Sequence, residues 1–273
     1  MQVASRCPDL WRWRRTLWFV TVVPLDAPGQ SGSGACGDFE VSFTGEDGVE
    51  DRRGLAEAWA TPFEAGLPVR RFTPHKGQRH LSGLWWCATT GGHVGFESWL
   101  ERDHVMLLDF DPDVVGIVSQ PFWMHWREGE SGRRVSHAPD FFVRRRDGSA
   151  VVIDCRPVER RPPRDVAKFD ATARACALVG WDYRLVGATD VTETGNVRWL
   201  AGYRHHRHRV SETAAALVKV FASPTPLMAG AEAVGDPVAV LPVLFHLLWC
   251  HELLADLSAP LGGDTLARAA VIR

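Results

Sequence analysis

Two apolar runs, Phe141-Phe142-Val143 and Ala150-Val151-Val152-Ile153, each adjoin an acid: Asp140 precedes the first and Asp154 ends the second. The intervening RRRDGS is charged and turn-forming, so the whole stretch reads as a β-hairpin. A carboxylate at the end of a buried strand loses hydration, and it stays ionised only beside a cation, a metal ion or hydrogen-bond donors. Asp140 and Asp154 therefore read as parts of a site. Their facing depends on the turn. A two-residue loop at Asp147 and Gly148 would pair Asp140 with Cys155 and turn it away from Asp154. Meeting of the two acids requires an odd loop, such as a three-residue turn with Gly148 left-handed, or a bulge near Pro139.

The elements around the hairpin define an α/β core. LSGLWWCATTGGHVGF reads as strand and turn, and ESWLERDHVMLLDF as a helix that ends before Pro112. VVGIVSQPFWMHW reads as one strand, VSHAPDFFV as another and SAVVIDCRP as a third. RDVAKFDATARACALVG is an amphipathic helix closed by Gly180, and WDYRLVG is a further strand. Upstream, FEVSF reads as a strand and LAEAWATPFEAG as a short helix. Downstream, helical signals alternate with Pro-rich breaks, and LFHLLWCHELL reads as a buried helix running into a strand.

The expected organisation is a poorly ordered leader and linker at 1–37, a strand-helix element at 38–90, a core at 91–205 and a helical, winged-helix-like, partner-binding subdomain at 206–273. GQSGSGACG contains a GxGxxG pattern, but a strand rather than a helix follows it, which excludes a dinucleotide site. The run LWFVTVVPL is too short to span a membrane. Six cysteines stand singly without zinc spacing, which points to free thiols in the cytoplasm. The formal net charge is -2, so any nucleic-acid contact must come from local basic patches.

Opposed side chains on antiparallel strands lie roughly 5 Å apart, a separation over which two carboxylates can share a divalent ion. Asp154 and Arg156 share a strand face, and the Cys155 carbonyl between them offers another oxygen. Glu97 and Glu101, at i and i+4 on the upstream helix, are candidates to complete the set. Glu101 sits a turn deeper and is expected to point at the two aspartates. An oxygen-rich cluster favours Mg²⁺ or Mn²⁺, and its natural chemistry is hydrolysis of a phosphodiester. Arg156 can stabilise phosphate charge but stays protonated. Gln120 in SQPF is a further candidate as a functional amide or a buried hydrogen-bonding residue, and His137 reads as a structural hydrogen bonder or a base. The basic runs Arg144-Arg145-Arg146 and Arg160-Arg161 flank the presumed site and suit phosphate contacts.

Pro139-Asp140 followed by Asp154-x-Arg156, with a helical acid upstream, resembles the PD-(D/E)xK nuclease pattern. More narrowly, the S-x-L-E of Ser98 to Glu101, the D-F-D-P-D-V, the Q-P-F and the PD resemble, in order, the TnsA-like endonuclease subunits of heteromeric transposases, over about residues 70–205. The resemblance implies a restriction-endonuclease-like fold with a mixed sheet between helices. It implies Glu101 as the helical acid, Asp140 as the metal-binding acid, Asp154 as the acid on the next strand and Arg156 in place of the family's lysine. Lys168, on the following helix, is a candidate for a displaced lysine. The implied activity is Mg²⁺- or Mn²⁺-dependent cleavage of double-stranded DNA at the 5′ ends of the element. The implied partners are an integrase-type transposase subunit and an ATPase regulator, with no membrane. A non-catalytic DNA- or transposase-binding assembly factor and a stand-alone restriction or repair nuclease are the alternatives.

Overall fold

The computed structural model describes residues 38–70, 82–129, 132–157, 159 and 161–271. The expected leader at 1–37 and Arg160 lie outside them. The first pair, β1 (Glu40–Thr44) and β2 (Glu50–Gly54), is followed by the single turn α1 (Leu55–Ala58). The short helix expected over LAEAWATPFEAG is confined to that turn, and a 3-10 turn at Phe63–Ala65 follows Pro62. The hairpin β3 (Gly83–Trp86) and β4 (His93–Phe96) leads into α2 (Trp99–Phe110). Ser98 caps α2 by accepting from the Glu101 amide, while both Glu101 carboxylate oxygens reach back, to Ser98 Oγ and the Glu97 amide. This reciprocal pair is a variant of the capping box in which the glutamate accepts from the Glu97 amide, one residue before the cap. Glu97 consequently lies before the cap, outside the helix, and not on a helical face shared with Glu101.

The run expected as one strand from Val114 divides into β5 (Val114–Ser119) and β6 (Phe122–Glu128), which belong to different sheets. The run through His137 likewise divides into β7 (Arg133–His137) and β8 (Phe141–Arg145). Pro121 and Pro139 stand at the two breaks, where a residue without an amide hydrogen cannot continue a ladder. Then come β9 (Ala150–Cys155), α3 (Pro163–Leu178), β10 (Asp182–Val186) and α4 (Val191–Ala201). α3 begins with Pro163, whose missing amide costs nothing there, and ends at Gly180 with φ 74°.

One sheet runs β10-β9-β8-β5, with β9 and β10 parallel and the other pairs antiparallel. A second, β2-β1-β6-β7, is antiparallel throughout. The expected α/β class and mixed sheet are present. β9 is buried along its whole length and feeds two cores. Val151, Ile153 and Cys155 pack toward Val105 of α2. Ala150 and Val152 face the opposite way, with Ala171, Ala175 and Cys176 of α3 and the aromatic group of Phe63, Phe122, Phe142 and Trp181. The mixed sheet thus lies between α2 and α3.

The remaining elements are α5 (Ser211–Val220), β11 (Thr225–Pro226), α6 (Leu227–Val234), α7 (Pro237–Trp249), β12 (Leu253–Ala255) and β13 (Leu266–Ala269), the three strands forming a small sheet. Leu217, Phe221, Leu244 and Leu247 of these helices share one apolar cluster with Met106 and Phe110 of α2 and Leu200 of α4. That cluster crosses the boundary expected at residue 206. Among the described residues no helix is long and apolar enough to cross a membrane.

Candidate active site

The turn between β8 and β9 has the odd length that bringing the acids together demands. Arg144 pairs with Ala150, the Arg145 amide donates to the Ser149 carbonyl, and three residues close the loop, with Gly148 at φ 85°. Glycine takes that left-handed conformation without a steric penalty. The register ends at Phe141 opposite Ile153, so the next pair outward is Asp140 and Asp154. Both acids stand at the end of the mixed sheet where the chain changes sheets, next to Gln120, whose amide donates to the Asp140 carbonyl at 2.9 Å.

Asp154 continues the row of Ala150 and Val152 toward α3 and is only 2 % exposed. His137 Nε2 stands 2.9 Å from both of its oxygens, and the Tyr183 hydroxyl donates to Oδ2 at 2.7 Å. Phe169 of α3 packs edge-on against the His137 ring. These donors supply what a buried carboxylate requires. Burial and the Asp154 carboxylate hold the Tyr183 hydroxyl well above the usual phenol range. His137 therefore belongs to the site through Asp154, and Tyr183 was missed by sequence reasoning. Tyr183 lies on β10, opposite Val152 in a parallel pair, and nothing local in WDYRLVG signals that partner.

Asp140 is tied differently. Its Oδ2 accepts from the Cys155 amide at 2.7 Å, while Oδ1 takes no hydrogen bond from the described residues. Burial, then the charges of Asp154 and Glu101, raise its carboxyl well above the usual range, with the Cys155 amide and Arg156 opposing. Glu101 is itself raised, by burial first, despite the bonds from Glu97 and Ser98. Its charge reaches Asp140, whereas Glu97 forms an ion pair with Arg70. Glu101 is thus the acid of α2 that acts on Asp140.

The Cys155 thiol, buried among residues facing α2, is pushed far up by burial and the surrounding acids. Arg156 is exposed, and among the described residues it forms no ion pair. No ion pair links Lys168 to the acids. The flanking arginines are largely committed within the fold. Arg144 pairs with Glu64 and stacks on Phe142, Arg145 pairs with Asp182, Arg146 donates to the Pro112 carbonyl, and Arg161 donates to the Arg156 carbonyl.

Gln120 adopts φ 47° before Pro121, a conformation disfavoured for a side-chain-bearing residue and costing about 1–3 kcal/mol. Its Oε1 and the neighbouring Ser119 Oγ are buried without hydrogen-bond partners.

A buried carboxylate on which the charges of Asp154 and Glu101 both act, with one oxygen open, matches the oxygen donors that a hard divalent cation takes. Asp140 and Glu101 suit that role. Asp154 Oδ1 keeps a lone pair beside its bond from His137. Among the described residues, no three His, Cys, Asp or Glu side chains already stand as a metal cage.

No curated protein matches the chain. Residues 111–187 match the family model described as TnsA-like endonuclease N terminal. The matched stretch contains Gln120, His137, Asp140, Asp154, Arg156 and Tyr183 and begins after α2. Over this segment the chain is similar to the N-terminal domain of TnsA-like endonucleases.

Proposed function

We propose that the protein is the metal-dependent DNA endonuclease subunit of a heteromeric transposase and hydrolyses phosphodiesters at the 5′ ends of the element. The observation that carries this reading is the 2.7 Å bond from the Cys155 amide to Asp140 Oδ2, which ties Asp140 to the strand that carries Asp154 at a sheet end within the family match. Asp140 and Glu101 would hold Mg²⁺ or Mn²⁺, with the Cys155 carbonyl and the free lone pair of Asp154 as further oxygens. When bound, that ion supplies Lewis-acid activation of water and neutralises charge gathering on the phosphate.

The chain's own groups divide the remaining work. His137 and Tyr183 fix Asp154 in one orientation, which spares the site reorganisation during the reaction. Arg156, exposed at the end of β9, presents a permanent positive charge to a phosphate oxygen. The helices and small sheet after residue 206, read as winged-helix-like, join α2 in one apolar cluster and serve the partners, an integrase-type subunit and an ATPase regulator. The free thiols of Cys87, Cys155, Cys176 and Cys250 suit a reducing cytoplasm.

Reconstitution with an integrase-type transposase subunit and an ATPase regulator tests this reading by mapping the cut strands. Loss of 5′-end cuts alone in Asp140→Ala is the expected result. Retention of those cuts removes the assignment. A second reading, a non-catalytic assembly factor, is favoured by Arg156 at the lysine position together with the lack of a preformed three-ligand cage among the described residues. It predicts DNA binding without cleavage by the wild type.

A further inference from the structure

Arg70 stands at the rim of the acidic site, fixed there from two sides. Through the backbone, the Val69 amide donates to the Gln120 carbonyl at 3.0 Å, and the Gln120 amide donates in turn to the Asp140 carbonyl at 2.9 Å. Through the side chain, the Arg70 guanidinium pairs with the Glu97 carboxylate, and the Glu97 amide donates to Glu101 Oε2 at 2.7 Å. This stretch of chain is thereby linked by short bridges to both acids proposed to hold the cation. Burial raises the Glu101 carboxyl, and the charge of Arg70 is among the influences that oppose the rise.

The ion pair itself does not explain the arginine. Both side chains are open to solvent, at 43 % for Arg70 and 34 % for Glu97, and an exposed pair of this kind adds little to stability. A site built from Glu101, Asp140 and Asp154, with Glu97 beside it, repels the phosphates of its own substrate, so DNA needs cations at the rim. Arg144, Arg145, Arg146 and Arg161 are held by Glu64, Asp182 and two backbone carbonyls. Arg156 is exposed where β9 ends, and Arg70 is exposed beside the entry to α2.

We infer that Arg70 binds a phosphate of the DNA strand lying across the site, and that Glu97 holds the guanidinium in place until the strand arrives. Two phosphate oxygens accept from the planar guanidinium fork as two carboxylate oxygens do, so Arg70 exchanges Glu97 for DNA through the same charge-assisted hydrogen bonds. Glu97, left at the surface, is then hydrated. With Arg156 on the other side of the acids, the strand is gripped at two points. Arg70 makes and breaks no covalent bond, and its contribution is to affinity and alignment of the strand.

This inference rests on the reading of the acids as a DNA-cleaving site, and its test separates the two. Arg70→Ala and Glu97→Gln break the same ion pair, so a merely structural pair predicts the same small effect from each. The DNA affinity of the reconstituted assembly should instead fall by roughly 10-fold in Arg70→Ala and stay equal or rise in Glu97→Gln. The slope of log affinity against log salt should shrink by about one in Arg70→Ala, as for one phosphate contact fewer, and recover in Arg70→Lys. In single-turnover nicking, the loss in Arg70→Ala should appear as a higher DNA concentration needed for half-maximal rate. A wild-type salt slope in Arg70→Ala, or equal losses of affinity in Arg70→Ala and Glu97→Gln, overturns this inference alone. A wild-type assembly that binds DNA and nicks nothing overturns the proposed function, and the salt slopes still decide for or against Arg70.

Discussion

The Cys155 amide donates to Asp140 Oδ2 at 2.7 Å, tying the acid at the head of β8 to the backbone of β9. This bond and Arg156 only partly offset burial and the charges of Asp154 and Glu101, which together raise the Asp140 carboxyl well above its ordinary 3.8. An acid with a raised folded pKa binds its proton more tightly in the native state. Its stabilising contribution is complete below the unfolded value and is lost as pH rises through the folded one. The melting temperature of the metal-free protein should therefore fall as pH climbs above about 4 through that raised value. Asp140→Asn should flatten the fall and melt higher at neutral pH. Mg²⁺ or Mn²⁺ should raise the melting temperature of the wild type and not of the variant. Thermal melts across pH, with and without metal, decide this, and identical profiles for the two proteins count against it.

Glu101 and Glu97 should separate cleanly on substitution. Gln at the third helical position still completes a capping box, so Glu101→Gln should keep or raise stability while abolishing nicking. Glu97→Gln breaks only the exposed pair with Arg70, at a cost of about 0–1 kcal/mol, and should keep nicking. Melting curves and nicking rates of both variants provide the check, and a reversed order of activities would move the helical acid to Glu97.

Tyr183→Phe removes one donor from the buried Asp154 carboxylate and leaves the ring in place. The expected cost is about 1–3 kcal/mol in denaturant unfolding, the penalty for a buried acceptor that loses a partner. A change below a few tenths of a kcal/mol would mean that His137 alone satisfies Asp154.

Arg156 supplies charge without a transferable proton. Arg156→Lys should preserve or raise the nicking rate, and Arg156→Ala should lower it by an amount on the order of 3 kcal/mol in activation free energy. Lys168→Ala, which breaks no ion pair with the acids, should leave the rate near that of the wild type. A larger loss at Lys168 than at Arg156 would identify Lys168 as the displaced lysine.

The hairpin was legible because its turn residues bear directly on facing: Asp140 meets Asp154 through an odd loop or a bulge near Pro139, and the odd loop with Gly148 left-handed is present. α2, α3 and β10 were legible from periodicity and end signals. The division of VVGIVSQPFWMHW and VSHAPDFFV between two sheets was not, because unbroken apolar patterning looks the same in one strand as in two. Pro121 and Pro139 were the available signals. The capping box could have been read from Ser98-x-x-Glu101, which would have placed Glu97 outside the helix. Tyr183 could not have been found, since its partner is set by a parallel pairing across α3.

The most direct test is the rate of Mg²⁺-dependent nicking of duplex DNA carrying the element's ends by the reconstituted wild type, set against Asp140→Asn in the same assembly. The wild type should nick and the variant should not, with DNA binding equal in both. Cleavage that survives in Asp140→Asn, or a fully assembled wild type that binds DNA without cutting it, would contradict a hydrolytic centre at Asp140.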